Sequence, residues 1–553
     1  MNGWMNHYPR PQLRRESFFS LDGEWRLGGE AIEAPYPPES KLSGYRGAVG
    51  DTLYYERRFE LPAGFAMEGQ RVRLHFGAVD QIAEVFLNGQ PVVRHEGGYL
   101  PFFADVTATL RSGENTLNVI ATDMLDKRFP YGKQTRVPGG MWYTPVSGIW
   151  QTVWLEALPS ACIEGVRFTP DLNGVAVSVD CPQDACTVTI EGEPPRLIPT
   201  RQPVYIPITS PRLWSPESPT LYHVSIRTDT DLVTSYFALR TIDVREAGGV
   251  KRICLNGKPI FLTGVLDQGY FEDGLFLPAS PEGYEADIRR MKAMGFNLLR
   301  KHIKVEPEAF YYACDRLGML VLQDMVNSGP ARFFLDTALP TLGLKRCPDR
   351  IVGGQFRKNF FRQHCLDTVA RVYNHPCVIG YTIFNEGWGQ FDADELYQVL
   401  KRADASRLVD ATSGWFAQRL SDVDSPHVYF RNKRLKPRAA RPMLLSECGG
   451  YKRRIEGHLY KPDARYGYGS ADSEQALTDK LIQLAEIMVL PAIPKGLCGM
   501  IYTQLSDVEG EVNGLYTYDR QVCKVDEARI AALTARMKKT LADCCLEPLP
   551  AEA

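Results

Sequence analysis

Residues 378–391 read VIGYTIFNEGWGQF, an apolar run that ends at Asn385-Glu386 and is followed by a tryptophan between two glycines. A continuous apolar run is typical of a strand buried on both faces, as in a parallel sheet covered by helices. Catalytic groups of such sheets lie where the strands end. Taken alone, Glu386 is either such a group or an ordinary acid at a helix cap or in a loop.

The chain after Gly248 alternates apolar strands with long helical stretches, which is the pattern of βαβ units. Eight strands are predicted, at residues 259–265, 297–303, 320–325, 378–385, 408–415, 426–430, 442–447 and 499–507. Eight strands alternating with helices predict a (β/α)8 TIM barrel over residues 247–553. The opening stretch then supplies the fourth barrel strand.

Two sets of short alternating strands with frequent turns precede the barrel, and each predicts an antiparallel β-sandwich. The first set covers residues 1–157 and carries the hairpin signal Asn88-Gly89. The second set, residues 158–246, has the length and strand count of an immunoglobulin-like sandwich. The fold class is therefore a multidomain chain of two sandwiches and a barrel.

The length, composition and net charge of the chain limit the classes of protein to which it can belong. Its 553 residues are too many for one hydrophobic core, and a composition of 44% hydrophobic and 24% charged residues fits folded globular protein. A formal net charge of -2 gives no reason to expect nucleic acid or an anionic membrane as a partner.

The N-terminus and the cysteines bear on location. Residues 1–19 lack the apolar core of a signal peptide, and no later stretch is apolar enough to span a membrane. The 13 cysteines form no C-x-x-C pair, which favours buried free thiols over a disulfide framework or a zinc site. Cys181 and Cys186 are the one pair to check in the structure. A cytoplasmic location is predicted.

A second predicted strand also ends on an acid followed by small residues, because LLSECGG at 444–450 places Glu447 at its end. In a barrel, the carboxyl ends of all strands converge on one mouth, so Glu386 and Glu447 would face each other there. Cleavage of a glycosidic bond needs two such carboxyl groups, one protonated for the departing oxygen and one ionised for the anomeric carbon. The pair therefore favours a glycosidase over two unrelated structural acids.

Ordered motifs along nearly the whole chain resemble glycoside hydrolase family 2, the family of β-galactosidases, β-glucuronidases and β-mannosidases. They are SLDGEWRL, GGMWYTPVSGIWQTVWLE, LWSPESPTLYHVSI, GFNLLRKHIKVEP, FNEGWG, LLSECGG and TQLSDVEGEVNGLYTYDR. The resemblance implies a jelly-roll-like, sugar-binding first sandwich and a retaining exo-β-glycosidase that acts on carbohydrate without a cofactor. It also implies that a homo-oligomer is one expected state of assembly.

The resemblance implies roles for residues at the predicted mouth. Glu386 would be the acid/base, Glu447 the nucleophile, and Asn385 the ligand of the sugar 2-hydroxyl. Arg300 matches a family arginine that would keep Glu447 ionised, since a nearby cation lowers a carboxyl pKa. Tyr429 would either donate a hydrogen bond to the nucleophile or pack in the core.

Five further residues have both a functional and a structural interpretation. Asp267 and His302 lie at strand ends and either contact sugar hydroxyls or serve the fold; the usual family histidine near Asp267 is Gln268 here. Trp388, Trp415 and Tyr502 are candidate platforms for sugar stacking or members of the core. No group of residues has convincing metal-ligand spacing, so no metal is expected.

The sugar is less clear than the chemistry. Family β-glucuronidases carry an Asn-x-Lys-Gly motif that holds the sugar carboxylate, and no such motif follows Glu447; the nearest basic cluster is 431–434. Family β-galactosidases often have an acid where this chain has Gly140. β-Galactosides are the leading prediction on base rate alone, with β-glucuronides as the alternative. A non-catalytic carbohydrate-binding protein on the same scaffold is the competing class.

Overall fold

The computed structural model describes residues 3–330, 354–429 and 432–546, together with 336, 339–341 and 349. The described chain forms two antiparallel β-sandwiches followed by an eight-stranded parallel barrel. This is the predicted fold class. No helix of the described residues is long and apolar enough to cross a membrane.

The first sandwich has a six-stranded and a four-stranded sheet with a short two-stranded ribbon. The six-stranded sheet has, in order, Glu30–Ala34, Gly23–Leu27, Thr52–Glu60, Glu114–Thr122, Ile82–Leu87 and Gln90–Glu96. The four-stranded sheet has Phe19–Ser20, Val153–Leu158, Arg71–Phe76 and Phe102–Asp105. The ribbon pairs Gly148–Ile149 with Val79–Asp80. Asn88 and Gly89 join two of them with positive φ angles of 51° and 79°. The predicted hairpin is therefore present.

The second sandwich has seven strands in two sheets, as the immunoglobulin-like prediction requires. Its strands are Gly165–Pro170, Gly174–Asp180 and Val204–Pro207, and Arg196–Pro199, Ala185–Ile190, Tyr222–Arg227 and Leu232–Phe237. Cys181 and Cys186 are free thiols in its core. A three-stranded sheet of Ile242–Ala247, Val250–Leu255 and Lys258–Pro259 leads into the barrel.

The barrel contains eight parallel strands, labelled here β1 to β8. They are Leu262–Asp267 (β1), Leu298–Lys301 (β2), Leu320–Asp324 (β3), Val378–Asn385 (β4), Leu408–Ser413 (β5), His427–Val428 (β6), Met443–Gly449 (β7) and Leu497–Thr503 (β8). The sheet order is β5-β4-β3-β2-β1-β8-β7-β6. A single parallel bridge between Gly414 and Pro426 joins β5 to β6 and closes the barrel.

Helices cover the outside of the barrel and bury the outer face of its strands. The α-helices are Glu282–Ala293, Glu308–Leu317, Leu339–Thr341, Gln355–Val372, Ala393–Ala403, Glu474–Leu484 and Glu527–Leu546. Shorter helical turns are Lys41–Ser43, Ala485–Val489 and Leu490–Lys495. Every residue of β4 and of β7 is buried, which explains their continuous apolar sequences.

Most predicted strand limits differ from the structure by one or two residues, and the larger differences are at β1, β6 and β8. The first barrel strand begins at Leu262 rather than 259, because Pro259 pairs back with Cys254 in the preceding hairpin sheet. The last strand ends at Thr503, since the chain beyond it turns into loops. β6 is only two residues long, and part of its predicted span (residue 430) lies outside the described residues, as does residue 431 of the basic cluster.

The hydrophobic core of the barrel extends into the first sandwich. Tyr99, Tyr143 and Trp150 of the first sandwich are at most 1% exposed and belong to the same apolar cluster as the barrel strands. The ring of Trp150 packs 5.0 Å from that of Phe276, and the ring of Tyr143 packs 4.9 Å from that of Tyr270. The first sandwich therefore packs part of its surface into the core of the barrel, in addition to having a separate core between its own sheets.

Candidate active site

The C-terminal ends of β4 and β7 bring Glu386 and Glu447 together. Glu386 has a φ angle of 50°, a left-handed conformation that costs an L-residue about 1–2 kcal/mol. The fold holds it there, because its amide donates to Ser413 O (3.0 Å), and a Cβ on Gly389 would lie 1.8 Å from Ser328 O. The strain turns the Glu386 side chain out of the strand direction at the mouth of the barrel.

The two carboxyl groups lie across one narrow opening. One oxygen of Glu386, one oxygen of Glu447 and a ring nitrogen of His427 all lie within 4.8 Å of one another. Glu386 is 6% exposed and Glu447 is 5% exposed, so water reaches both only through the mouth. Carboxyl groups about 5–5.5 Å apart are typical of retaining glycosidases, and about 6.5–9.5 Å of inverting ones. The spacing fits the retaining geometry.

Arg300, at the end of β2, organises the floor of this opening. It is fully buried, and each of its five N–H groups donates a hydrogen bond. The acceptors are Asp324 Oδ1 (3.0 Å), Asn385 Oδ1 (3.0 Å), Ser413 Oγ (2.8 Å), Ser446 O (3.0 Å) and Glu447 Oε1 (2.9 Å). One guanidinium thus ties strands β3, β4, β5 and β7 to β2 from inside the barrel.

Glu447 is held in its ionised form. Tyr429 Oη donates a short hydrogen bond to Glu447 Oε2, while Arg300 occupies the other oxygen. Burial alone would raise the pKa of Glu447, but the charges of His427 and Arg300 outweigh it and set the pKa at about 2. Tyr429 is itself fixed by Thr503 Oγ1 at 3.0 Å. The carboxylate is therefore a buried, fully oriented anion.

Glu386 has the opposite electrostatics. Burial raises the pKa of its carboxyl group above the usual value, and the nearby negative charge of Glu447 raises it further. The hydrogen bond from His427 opposes these effects without cancelling them. A carboxyl group with a raised pKa thus lies beside one with a lowered pKa.

His427, the first residue of β6, bridges the two acids and was not among the residues predicted from sequence. Its Nδ1 lies 2.8 Å from Glu386 Oε1 and 3.5 Å from Glu447 Oε2. Its Nε2 lies 3.4 Å from Arg300 Nη1, where a second N–H would point at a cation. Nδ1 is thus the ring atom that faces the two carboxyl groups, and Nε2 is the one that faces Arg300. His427 and Tyr429 are two positions apart, so a strand pattern places them on one face.

The first sandwich forms one wall of the mouth through the loop of residues 131–144. Trp142 packs against Trp388, with ring centroids 5.3 Å apart, and Tyr143 Oη donates to Glu511 Oε2. The GGMWYTP segment, residues 139–145, therefore lies beside the site. Lys133 of the same loop places its ammonium group 5.8 Å from the ring centroid of Trp388. This wall narrows the opening beside Glu386.

Two of the predicted polar contacts have structural partners instead. Asp267 Oδ2 accepts from Lys301 Nζ at 2.6 Å, an ion pair buried beneath the mouth, so this carboxylate is not free for a sugar. His302 Nδ1 lies 2.8 Å from Asp324 Oδ2. Burial and the charge of Lys133 lower the pKa of His302 to about 4, so its ring is neutral near pH 7. Its edge lies beside Trp388, with centroids 6.5 Å apart.

The three aromatic candidates also differ in position. Trp388 lines the mouth but is only 2% exposed, because Trp142 covers it. Trp415 is 8% exposed, and its indole N–H donates to Asp336 O at 2.7 Å, with its ring 5.7 Å from that of His427. Tyr502 is fully buried in β8 next to Gly449, so of its two interpretations the structure supports the core.

The spacing of the two acids and His427 raises the question of a bound metal ion. Within the described residues, Glu386, His427 and Glu447 are the one group of three potential ligands with metal-like spacing. In the structure, His427 Nδ1 lies 2.8 Å from Glu386 Oε1, which is a hydrogen-bonding distance. The three residues form one hydrogen-bonded group at the mouth of the barrel.

Comparisons with known proteins agree with this geometry. Three family models match the chain: "Glycosyl hydrolases family 2, sugar binding domain" at residues 34–159, "Glycosyl hydrolases family 2" at 163–240 and "Glycosyl hydrolases family 2, TIM barrel domain" at 247–443. Together they cover both sandwiches and the barrel through the start of β7.

Individual relatives are more distant. A β-galactosidase of Aeromonas hydrophila is 28% identical over 436 residues, which are 71% of this chain and 39% of that protein. A putative β-glucuronidase of Formosa agariphila is 23% identical over 395 residues, 65% of this chain and 44% of that protein. The chain thus spans less than half the length of these two relatives.

Solved structures share the fold over their whole length. A β-glucuronidase of Ruminococcus gnavus has a TM-score of 0.75 and 18% identity, covering 96% of this chain and 98% of that one. A β-galacturonidase of Eisenbergiella tayi bound to galacturonate has a TM-score of 0.68 and 19% identity, covering 96% and 98%. With the three matching family models and two glutamates at the ends of β4 and β7, the chain belongs to glycoside hydrolase family 2.

Proposed function

We propose that this chain is a retaining exo-β-glycosidase, with Glu447 as nucleophile and Glu386 as acid/base. The observation that carries the proposal is the contrast between two carboxyl groups within one narrow mouth. Glu447 has a pKa of about 2, whereas the pKa of Glu386 is raised. Double displacement needs one ionised and one protonated carboxyl group at this separation.

In the first step, Glu447 attacks the anomeric carbon while the proton of Glu386 passes to the glycosidic oxygen, which leaves as an alcohol. A covalent glycosyl ester on Glu447 results. Because the ester is neutral, the negative charge that raised the pKa of Glu386 is gone. Glu386, now ionised, takes a proton from water as that water attacks the anomeric carbon. Hydrolysis of the ester releases a sugar of retained configuration.

Neighbouring residues orient these steps. Arg300 and Tyr429 each hold one oxygen of Glu447, so the nucleophile loses little freedom when it attacks. Asn385 has its carbonyl oxygen fixed by Arg300 and Ser413, which leaves its amide N–H groups for the 2-hydroxyl of the sugar. The wall that the first sandwich contributes favours the end of a carbohydrate chain over its middle.

The sugar itself is a separate question. The names of the relatives divide between β-galactosidase and β-glucuronidase, and the chain spans less than half of the two described above. The base-rate preference for β-galactosides therefore receives no further support from them. A carbohydrate-binding protein without activity has no need of two carboxyl groups with opposed pKa shifts.

The experiment is a panel of 4-nitrophenyl β-glycosides, with the configuration of the first-formed product read by NMR. A 2-deoxy-2-fluoro glycoside of the accepted sugar should label Glu447, as found by mass spectrometry of peptides. Hydrolysis with inversion, or labelling of Glu386, would overturn the assignment of roles. Binding of sugar without any turnover would favour the non-catalytic alternative.

A further inference from the structure

Lys133 is a charged residue at the mouth that the double displacement does not use. It belongs to the first sandwich and is 7% exposed. Its ammonium group lies 5.6 Å from the ring centroid of Tyr143 and 5.8 Å from that of Trp388, two positions after Glu386. The charge of Lys133 bears on the ionisation of both Glu386 and His302. Lys133 therefore reaches the space above the catalytic pair.

The ammonium group forms no ion pair with a carboxylate of the residues that the structure describes. Burial raises the pKa of Glu511, the acid on the same wall, and the charge of Lys133 opposes that rise at longer range. Glu511 takes its hydrogen bonds from Tyr143, Gln504 and Asn513. Arg300, the other cation of the mouth, has every N–H satisfied by the protein. Burying an ammonium group that forms no ion pair costs free energy. The presence of Lys133 here therefore points to an anion that arrives with the ligand.

The loop that carries Lys133 is fixed on both sides. Tyr131 Oη donates to Gly329 O (2.9 Å) on the far side of the mouth. Gln134 donates to Asp80 Oδ2 (2.9 Å) and to Tyr99 Oη (3.1 Å) inside the first sandwich. Gly132 lies so close to the barrel that a Cβ would come 3.2 Å from Ile303 O. A cation held this rigidly is prepared for a ligand rather than for solvent.

A second polar group without a partner lies close to this loop. Asn327 accepts from the amide of Tyr131 through its main-chain oxygen at 3.1 Å. Its side-chain amide is buried, and within the described chain neither its oxygen nor its nitrogen has a hydrogen-bond partner. An ammonium and a carboxamide are the donors that a carboxylate or a sulfate accepts from.

We propose that Lys133 binds an acidic group on the terminal sugar, so that the enzyme prefers anionic glycosides to neutral ones. This inference rests on the proposed function and names the substrate class of the same site. Two sources of the anion share this chemistry, the carboxylate of a uronic acid and a sulfate ester on a neutral sugar. The cation comes from the first sandwich, in a chain that has no Asn-x-Lys-Gly motif after Glu447.

The test compares 4-nitrophenyl β-galactoside and β-glucoside with the matching galacturonide and glucuronide, and with β-galactoside 6-sulfate. The wild-type chain should give the highest kcat/KM on an anionic member, and the carboxylate and sulfate arms identify the source. Lys133→Met keeps the apolar stem and removes the charge. It should lower kcat/KM at least about 30-fold on the anionic substrate and less than about 3-fold on its neutral counterpart.

Two variants control the measurement. Arg136→Met removes an equal charge from the same loop at an exposed ion pair with Asp51, and should change neither rate. Lys133→Arg keeps the charge and should keep most of the selectivity. If Lys133→Met fails to fold, the wild-type preference and the Lys133→Arg variant still decide the matter.

The two proposals fail in different ways. Preference of the wild-type chain for a neutral glycoside, or an equal loss on both substrates in Lys133→Met, would overturn the role of Lys133 while leaving a retaining glycosidase. An absence of turnover on every member, without labelling of Glu447, would overturn the proposed function itself.

Discussion

The ends of β4 and β7 are alike in sequence and opposite in chemistry. Both strands are fully buried, with Glu386 directly after β4 and Glu447 near the end of β7. Yet burial raises the pKa of Glu386, while the pKa of Glu447 is about 2 because cations overcome the same burial. The difference arises from Arg300 on β2 and from Tyr429 just after β6, both of which contact Glu447. Ionisation state is thus set by the neighbours that the fold supplies.

Exchange of each glutamate for alanine is the strongest test of this difference. Glu447→Ala should lower turnover of every aryl glycoside by roughly 10⁴-fold or more, because no covalent intermediate forms. Glu386→Ala should spare activated substrates, whose leaving groups need no proton, and impair poor ones by about 10²–10⁴-fold. The measurement is kcat/KM against leaving-group pKa.

Added azide separates the two variants by product. It should rescue Glu386→Ala and give a glycosyl azide of retained configuration, because azide attacks the glycosyl ester in place of activated water. It should rescue Glu447→Ala with an inverted product, since azide then attacks the substrate directly. Retention from Glu447→Ala would mean that the two roles are exchanged.

Replacement of Arg300 should bring the pKa of Glu447 closer to that of Glu386. Arg300→Met removes the cation that keeps Glu447 ionised, so the pKa of Glu447 should rise and the acidic limb of the kcat/KM profile should move to higher pH. We expect a loss of roughly 10²–10³-fold at pH 7 and of about 3–5 kcal/mol in the free energy of unfolding.

The stability of the Arg300 variant has a definite pH dependence. In the wild-type chain the folded pKa of Glu447 is depressed, so its contribution is present above the unfolded value of 4.5 and is lost as pH falls toward about 2. This part of the acid destabilisation should shrink in Arg300→Met. Arg245→Met, which removes an exposed ion pair with Asp243, is the control and should leave the profile unchanged.

His427 should set the position of the whole pH profile. Its charge or N–H lowers the pKa of both acids, so His427→Ala should raise both values and move both limbs to higher pH. The rate at the optimum should fall about 10–100-fold. His427→Asn places an amide near Nδ1 and should restore part of the shift. A fall in rate with unmoved limbs would indicate a purely structural role.

A glycine substitution tests the backbone at one strand end with the smallest effect. Gly449 has a φ angle of 79°, and a Cβ there would lie 2.5 Å from the Tyr502 ring. Gly449→Ala should therefore cost about 1–3 kcal/mol in the free energy of unfolding while the limbs of the pH profile stay in place. Gly140→Ala, with 3.6 Å of space beside Tyr466, is the comparison and should cost less. Urea unfolding measures both.

Much of this arrangement could be predicted from local sequence. Continuous apolar runs predicted β4 and β7, and the barrel rule then predicted that Glu386 and Glu447 converge. Asn385, Arg300 and Tyr429 lie where the family resemblance put them. Each of these residues lies within or next to a strand, so its position follows from the strand that carries it.

The remaining features of the site depend on contacts between residues that are far apart in sequence. Asp267 was a candidate for sugar contact, yet Lys301 on the neighbouring strand neutralises it. Tyr502 was predicted from its place at a strand end in the same way, but its ring is fully buried beside Gly449. His427 was detectable, since it shares a strand face with Tyr429 two positions away. Lys133 had no local signal, because its place at the mouth depends on how the first sandwich docks.

The packing of the first sandwich into the core of the barrel has a consequence for folding and quality control. Residues 247–546 expressed alone would present to water the apolar surface that Tyr99, Tyr143 and Trp150 cover, and exposed surface of that kind promotes aggregation. Heating should therefore melt the first sandwich and the barrel in one calorimetric transition rather than two. The first sandwich and the barrel are separate domains in architecture. We expect them to fold and unfold together as one cooperative unit.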